Sequence, residues 1–299
     1  MKQWRHSYFA DYTVFDVTKD EEISSAINDQ QQHQFVMWSP TEHILLWVTN
    51  EKNIYYQSDL TNSDSVIQVT DDGGWCIENP RILGTVYNGS ADKCIYNGVP
   101  EWNYEEEGLS SDFGSRSAIF WAPDSSVFTF VAFDVSDIES LQYSVYPDKL
   151  AASSPDEVNM DSFEQYPRIN TIKYAKTADK IVKTKFYIAK IVQNKKDMSP
   201  PFELNKIPDG LKFELGIGKE QSQENRYFAR LAWSANSSWF VMTWLSRAAT
   251  QAKSLACLVD STDVSKTTCS QVGREDGGVA GSWTDGNYTH FSADRLNNS

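Results

Sequence analysis

Residues 118–133 read Ala118-Ile119-Phe120-Trp121-Ala122-Pro123-Asp124-Ser125-Ser126-Val127-Phe128-Thr129-Phe130-Val131-Ala132-Phe133. Two apolar runs, rich in aromatic and β-branched residues, flank a Pro-Asp-Ser turn, which is the pattern of two strands joined by a short connection. The same arrangement recurs at Trp38-Ser39-Pro40 and Trp233-Ser234-Ala235, where a Trp ends one apolar run and a second run follows within a few residues. The three tryptophans lie 83 and 112 residues apart. Propeller blades repeat at about 40–50 residues, so each offset fits two blades, with an insertion in the second interval. Chance recurrence of Trp-Ser pairs in a Trp-rich chain is the competing explanation.

Outward from these motifs, helical periodicity is hard to find and short alternating runs are common. Strands are expected over 8–17, 33–38, 44–48, 54–57, 118–121, 127–133, 141–146, 183–192, 227–233, 239–245 and 254–259. Gly, Asn, Asp and Pro clusters separate them. Many short strands at close spacing mean an all-β sandwich, barrel or propeller, and the Trp repeat favours the propeller. Two segments read as insertions: 71–94, bounded by cysteines, and 147–180, a polar extended loop or arm. Long segments of that kind are usually functional.

The chain has 299 residues, 40% of them hydrophobic and 23% charged, which is a globular composition. The formal net charge of −14 argues against nucleic acid and anionic lipid as partners and favours a cationic one, although solubility alone explains such a balance equally well. No apolar stretch reaches the roughly 20 residues needed to span a bilayer, and Met1-Lys2-Gln3-Trp4-Arg5-His6 has no apolar signal core. Four cysteines fall into two close pairs, Cys76 with Cys94 and Cys257 with Cys269. Two local disulfides in an oxidising compartment fit that spacing, and four buried thiols are the alternative. No pair has zinc-finger spacing, and no phosphate-binding loop or metal cluster is visible, so neither metal nor cofactor is expected. Sequons at Asn88, Asn236 and Asn287 permit glycosylation without requiring it.

The run richest in chemistry is Tyr96-Asn97-Gly98-Val99-Pro100-Glu101-Trp102-Asn103-Tyr104-Glu105-Glu106-Glu107. Three consecutive carboxylates are ordinarily a solvated turn. On a concave wall they would instead form a strongly negative point, and two of them could accept the three protons of a primary ammonium. Tyr-Asn-Gly, a spacer and Trp-x-Tyr-Glu-Glu-Glu resembles the glutamate motif of the dipeptidyl peptidase IV family. There the last two glutamates hold the free N-terminus of a peptide, so that cleavage falls after the second residue. The resemblance makes Glu106 and Glu107 the ammonium anchors, with Ser110 following at the family's spacing. Lys2-Gln3-Trp4-Arg5-His6-Ser7-Tyr8 is similar to the family segment whose arginine orients the substrate. Arg5 would then meet a backbone carbonyl and the paired glutamates, a task suited to the fixed fork of a guanidinium.

The resemblance spans nearly the whole chain. Trp121 to Phe133 and Tyr143 to Tyr146 look like successive blade strands, Thr243 to Arg247 and the Cys257–Cys269 hairpin look like a later blade with its disulfide, and Gly278 to Trp283 looks like the loop that sets an aromatic wall beside the substrate. It departs at Tyr174-Ala175-Lys176-Thr177-Ala178, ahead of the family's dimer-forming arm, and at Thr284, where the family has a basic residue. No Gly-x-Ser-x-Gly elbow occurs, so no catalytic residue and no α/β-hydrolase domain is expected within the chain. None of His6, His33, His43 and His290 has the context of a general base.

The resemblance therefore implies a single domain over 1–299, a partial propeller amounting to roughly half of an eight-bladed one. Its role would be substrate gating in a serine exopeptidase that releases dipeptides from peptides with Pro or Ala in second position. A relative that keeps the propeller, has lost the nucleophile and binds membrane proteins is the alternative. The complete protein is expected at the cell surface or outside the cell, held by an anchor outside this chain; the family's homodimer is left open by the departure at Tyr174 to Ala178.

Overall fold

The computed structural model describes residues 6–28, 31–77, 81–82, 85–86, 92–109, 116–146, 167–192, 212–214, 226–248 and 250–276. In chain order the strands are β1 (Val14–Asp16), β2 (Glu21–Ile23), β3 (His33–Trp38), β4 (Leu45–Thr49), β5 (Ile54–Gln57) and β6 (Val66–Gln68). Next come β7 (Arg81–Ile82), β8 (Thr85–Val86), β9 (Ile95–Asn97), β10 (Ile119–Trp121), β11 (Val127–Asp134), β12 (Ser140–Val145) and β13 (Arg168–Lys173). The last are β14 (Lys183–Lys190), β15 (Lys212–Glu214), β16 (Arg226–Trp233), β17 (Trp239–Ser246), β18 (Gln251–Leu258) and β19 (Thr268–Asp276).

Three antiparallel sheets dominate. β3-β4-β5-β6 and β16-β17-β18-β19 are consecutive meanders of four strands, and between them β10-β11-β14-β15 forms a third, with β9 also paired to β11. The all-β class expected from the sequence is what the structure has. β11 is buried along its length except for Asp134. A strand covered on both faces gains nothing from alternation, which is why 127–133 is an unbroken apolar run. β14, further out, alternates between buried and half-buried positions.

The sheets face one another across a shared core. Phe228 of β16 lies 5.8 Å from Phe120 and 5.5 Å from Phe186, ring centre to ring centre, and Phe186 lies 6.0 Å from Phe240. Aromatic pairs at these tilted geometries contribute about 0.5–1.5 kcal/mol each beyond their burial. Between the first and second sheets, the buried Tyr56 hydroxyl accepts from the Val192 N–H at 2.8 Å and donates to its carbonyl at 3.2 Å.

The three Trp motifs end the first strands of the three sheets, β3, β10 and β16. In each, the residue after the Trp donates its N–H to the residue that opens the next run: Ser39 to Ile44 at 2.9 Å, Ala122 to Val127 at 3.0 Å, Ser234 to Trp239 at 2.9 Å. The expectation of two blades per interval is not met among the described residues, where each interval carries one sheet of four or more strands and one two-stranded sheet, β7-β8 in the first and β12-β13 in the second. Excursions from the sheets at 71–94, around the glutamate motif and beyond β12 lengthen the intervals, and among the described residues they add no further four-stranded sheet.

The same turns tie sheet to sheet. The Thr41 N–H donates to the Ser125 hydroxyl at 3.0 Å, and the two hydroxyls lie 2.9 Å apart. One sheet on, the Asp124 N–H donates to the Ser237 hydroxyl at 2.9 Å. Ser125 and Ser237 occupy matching places in their turns, both with left-handed backbones, φ 62° and 59°.

Other expectations are corrected in detail. Residues 8–17 are not one strand. Ala10 and His33 exchange both backbone hydrogen bonds as an isolated bridge, and β1 begins only at Val14. Within the insertion at 147–180, β13 pairs with β12 in register from Ser140 opposite Lys173 to Val145 opposite Arg168. Both cysteine pairs are disulfides, Cys76–Cys94 with Cα atoms 4.2 Å apart and Cys257–Cys269 at 4.0 Å. The latter pair sits directly opposite across β18 and β19.

Ser125 tests the stitching of the sheets. Ser125→Ala keeps the strained backbone and loses both bonds to Thr41, at about 1 kcal/mol. Ser125→Gly loses the same bonds but relieves roughly 1 kcal/mol of left-handed strain. Thermal melting should therefore rank Ser125 and Ser125→Gly close together and Ser125→Ala below both. Equal melting of the Ala and Gly variants would show that the turn carries no strain.

Candidate functional site

The glutamate run departs from a strand broken in two. β9 pairs with the end of β11, Phe133 opposite Tyr96, and β10 pairs with its beginning, Trp121 opposite Phe128. The two halves meet at Gly98. Its N–H donates to the Val131 carbonyl at 2.9 Å, its carbonyl accepts from the Ala118 N–H at 2.9 Å, and the Val131 N–H reaches the Ala118 carbonyl at 3.0 Å. Residues 99–117 thus leave the sheet and return to it at the same rung. Gly98 has φ 68°, and a Cβ there would lie 2.7 Å from the Ile119 side chain and 2.9 Å from that of Ile54. Glycine is needed both for the backbone and for the space.

The excursion opens into a short helical turn, α-type at Trp102 and Asn103 and π-helical over Tyr104–Leu109. π-helical turns are rare and concentrate at functional sites. Glu101 begins it. Its carboxylate accepts from the Asn103 N–H at 3.0 Å and the Tyr104 N–H at 2.8 Å, supplying two amides that the turn leaves unpaired. Its own carbonyl accepts from the Glu105 N–H at 2.9 Å. Burial pushes the Glu101 carboxyl up to about 7, against the opposing pull of those two N–H groups. Two aromatics dock the turn: Tyr104 packs 4.7 Å from Phe133 and accepts from the Phe228 N–H at 2.8 Å, and Trp102 packs 4.5 Å from Tyr174.

Glu105 has no exposed surface. One carboxylate oxygen accepts from the N–H groups of His6 and Ser7, each at 2.8 Å, and the other accepts from the Ser7 hydroxyl. The first glutamate of the triplet therefore clamps the segment that directly follows Arg5. Further along that segment, the Arg116 guanidinium lies 4.0 Å from the centre of the Tyr8 ring, a cation–π contact. Tyr12 beside it is raised to about 12, by burial first and by Tyr8 next.

The family model for the dipeptidyl peptidase IV N-terminal region matches residues 1–290. The chain belongs to the dipeptidyl peptidase IV family. It is 28% identical over 188 residues to dipeptidyl peptidase 4 of Sus scrofa, an alignment covering 63% of this chain and 20% of that protein. It is 32% identical over 191 residues to a probable dipeptidyl-aminopeptidase B of Neurospora crassa, covering 62% of this chain and 17% of the other. The chain thus matches about a fifth of the length of these relatives. Among solved structures it is similar to the crystal structure of Porphyromonas gingivalis dipeptidyl peptidase 4, with a TM-score of 0.63 at 19% identity, over 96% of this chain and 31% of that one. That likeness identifies the sheets as part of a β-propeller.

Of the residues the dipeptidyl peptidase IV resemblance singled out, Glu106 is half-buried in the π-helical turn, and Glu107 belongs to the same turn with its side chain outside the described set. Arg5, Ser110, Trp283, Asn88 and Asn287 lie outside the described residues. Asn236 is exposed in the third Trp turn, where its Oδ1 accepts from the Ser238 hydroxyl at 2.7 Å. Among the described residues no group of His, Cys, Asp and Glu is placed to hold a metal ion, and no helix is long and apolar enough to cross a membrane. Sequence reasoning missed Ser7, the inward role of Glu105 and the capping role of Glu101. Three identical glutamates give no sign of which one turns inward.

Glu101 gives the site a pH signature. Its carboxyl rises from 4.5 in the unfolded chain to about 7 in the folded one. Across that window the folded chain keeps a proton that the unfolded chain has released, so stability falls as pH rises and levels off above it. Glu101→Gln should flatten this limb by up to about 3 kcal/mol between roughly pH 5 and pH 8, measured by urea unfolding. Parallel pH profiles of the two chains would exclude Glu101 as the source.

Proposed function

We propose that this chain is the peptide-gating part of a dipeptidyl peptidase IV-like serine exopeptidase. Glu106 and Glu107 hold the free ammonium of a peptide, Arg5 turns its first carbonyl, and the bond is cut by a serine module elsewhere in the complete protein. The observation that carries the reading is the clamp at Glu105. It draws the segment beside Arg5 onto the glutamate turn, so that two motifs nearly a hundred residues apart in sequence converge on one place. One carboxylate is consumed in building the site, and on this reading the next two in the turn are the ones that meet the cation. The net charge of −14 reinforces the preference for a positively charged ligand end. The gate contributes orientation: a peptide held by its terminus presents a fixed bond to the nucleophile. Ser110 and Trp283 are assigned to the wall of the same site. Two disulfides suit an oxidising setting, and we place the complete protein at the cell surface or outside the cell.

In the complete protein, changing both Glu106 and Glu107 to Gln should cut dipeptide release from an Ala-Pro chromogenic substrate by about 100-fold or more, because breaking a desolvated charge pair costs about 2–5 kcal/mol. The melting temperature should stay near that of the parent. An N-acetylated substrate should be poor for parent and variant alike. Undiminished release by the double variant, or equal turnover of the acetylated substrate, would sink the assignment.

A further inference from the structure

The glutamate turn is held on several sides, each by a different element. Tyr104 docks on β11 and β16 through Phe133 and the Phe228 N–H, and Glu105 docks on residues 6 and 7. Trp102 turns elsewhere. Its ring lies 4.5 Å from that of Tyr174, centre to centre, with 47° between the planes. Tyr174 directly follows β13, at the foot of the β12–β13 ribbon. Both residues are half-buried. Tilted aromatic pairs at such a distance contribute about 0.5–1.5 kcal/mol beyond their burial.

The body of the ribbon is a poor support, but its foot is a firm one. β12 is exposed or half-buried at every position, and a lone two-stranded hairpin is marginally stable in water. At the foot, the Tyr174 N–H donates to the Glu139 carbonyl at 3.0 Å and the Lys173 ammonium to the Ile138 carbonyl at 2.9 Å, which closes the two strands at their base. Ile138 is buried in the shared core. The Asp137 carboxylate meets Lys180 at 3.2 Å and Lys183, the first residue of β14, at 2.7 Å. Beyond Tyr174 the chain makes a tight turn, in which the Asp179 N–H donates to the Lys176 carbonyl at 3.0 Å and Ala178 takes a left-handed φ of 72°. A non-glycine residue stays in that region only where its surroundings over-determine it. The Asp179 carbonyl also accepts from the guanidinium of Arg247, just past β17. The foot is thus braced against the second and third sheets, and Trp102 rests on a ring that is itself fixed.

We propose that Trp102 and Tyr174 are a positioning pair, through which the foot of the β12–β13 ribbon sets the pose of the glutamate turn and with it the affinity for a peptide's free amine. Tyr104 and Glu105 fix the turn from the core side. A turn held from one side can still rock, and a contact with a separate, braced element removes that freedom. Small displacements of groups that meet a ligand are expensive in binding. The effect on affinity rests on the assignment of Glu106 and Glu107 made above.

Hydrogen exchange and peptide binding on the 299-residue chain test the pair. The amides of Asn103, Tyr104 and Glu105 are bonded to Glu101 and report on the turn. Tyr174→Ala should speed their exchange by about tenfold or more while the amides of β4 and β11 keep their rates. It should also weaken binding of the free-amine tripeptide Ala-Pro-Ala, followed by calorimetry, by about tenfold. Tyr174→Phe keeps the ring and should hold both readouts within about twofold of the parent. In a Trp102→Leu background, Tyr174→Ala should add no more than about threefold. Parent-like exchange in Tyr174→Ala would overturn the proposal, as would unchanged binding beside faster exchange. So would a Tyr174→Phe chain as impaired as Tyr174→Ala, or an undiminished effect in the Trp102→Leu background. Faster exchange spread over β4 and β11 as well would make Tyr174 a general stabiliser and overturn it too. Where Tyr174→Ala yields no folded chain, Tyr174→Leu takes its place under the same criteria. If the parent ignores the tripeptide, the amine assignment falls, while exchange still decides whether the ribbon foot holds the turn.

Discussion

A carboxylate with no access to water must find its donors within the protein, because an unpaired buried charge costs several kcal/mol. At Glu105 the donors are two backbone N–H groups and a hydroxyl from residues 6 and 7. That requirement brings the start of the described chain onto a turn nearly a hundred residues later. Relaxing it would leave the N-terminal segment held by the Ala10–His33 bridge and by the contacts of Tyr8 and Phe9. It would also leave the inner end of the π-helical turn held by Tyr104 alone. The positions of Glu106 and of the chain beside Arg5 follow from this one buried group.

The second sheet makes the arrangement possible. An inner strand normally runs unbroken along its neighbour, but here β9 and β10 share β11 between them, and Gly98 is the joint. The excursion leaves and re-enters at one rung, so the sheet loses little pairing while gaining a projecting turn. Its two feet are fixed by the three backbone bonds linking Gly98, Ala118 and Val131. A functional loop needs such rigid footing, since small displacements of positioning groups are expensive in binding and rate. The stitched turns at Ser125 and Ser237 extend the footing from sheet to sheet.

Much of the scaffold was legible in the sequence. Apolar runs flanked by Pro, Asp and Ser marked β3, β5, β11, β16 and β17, because those strands carry large side chains and β5, β11 and β17 are largely buried. β13 and β19 were passed over. Among the described residues Arg168-Ile169-Asn170-Thr171-Ile172-Lys173 pairs only with β12, and β19 runs Thr-Cys-Ser-Gln-Val-Gly-Arg-Glu-Asp at the end of its sheet. Burial leaves no mark on strands of that kind. The Trp repeat was seen, but its period was misjudged, because excursions lengthen the intervals and look in sequence like further blades. Lys52 was invisible for a different reason. Asn50-Glu51-Lys52-Asn53 reads as a hydrophilic turn, and only the rings of Phe9, Trp75 and Tyr96, converging from distant segments, make its ammonium an interior group.

The triplet itself shows why neighbouring identical residues need not share a task. On any helical turn adjacent side chains diverge, and only those three or four apart share a face. Glu105 therefore faces the core while Glu106 sits half-buried beside it. Three carboxylates aimed at one point would repel one another. Turning one inward, with Ser7 as donor, removes two of the three pairwise repulsions. On the proposed reading, the next two carboxylates in the turn meet a primary ammonium and its three protons.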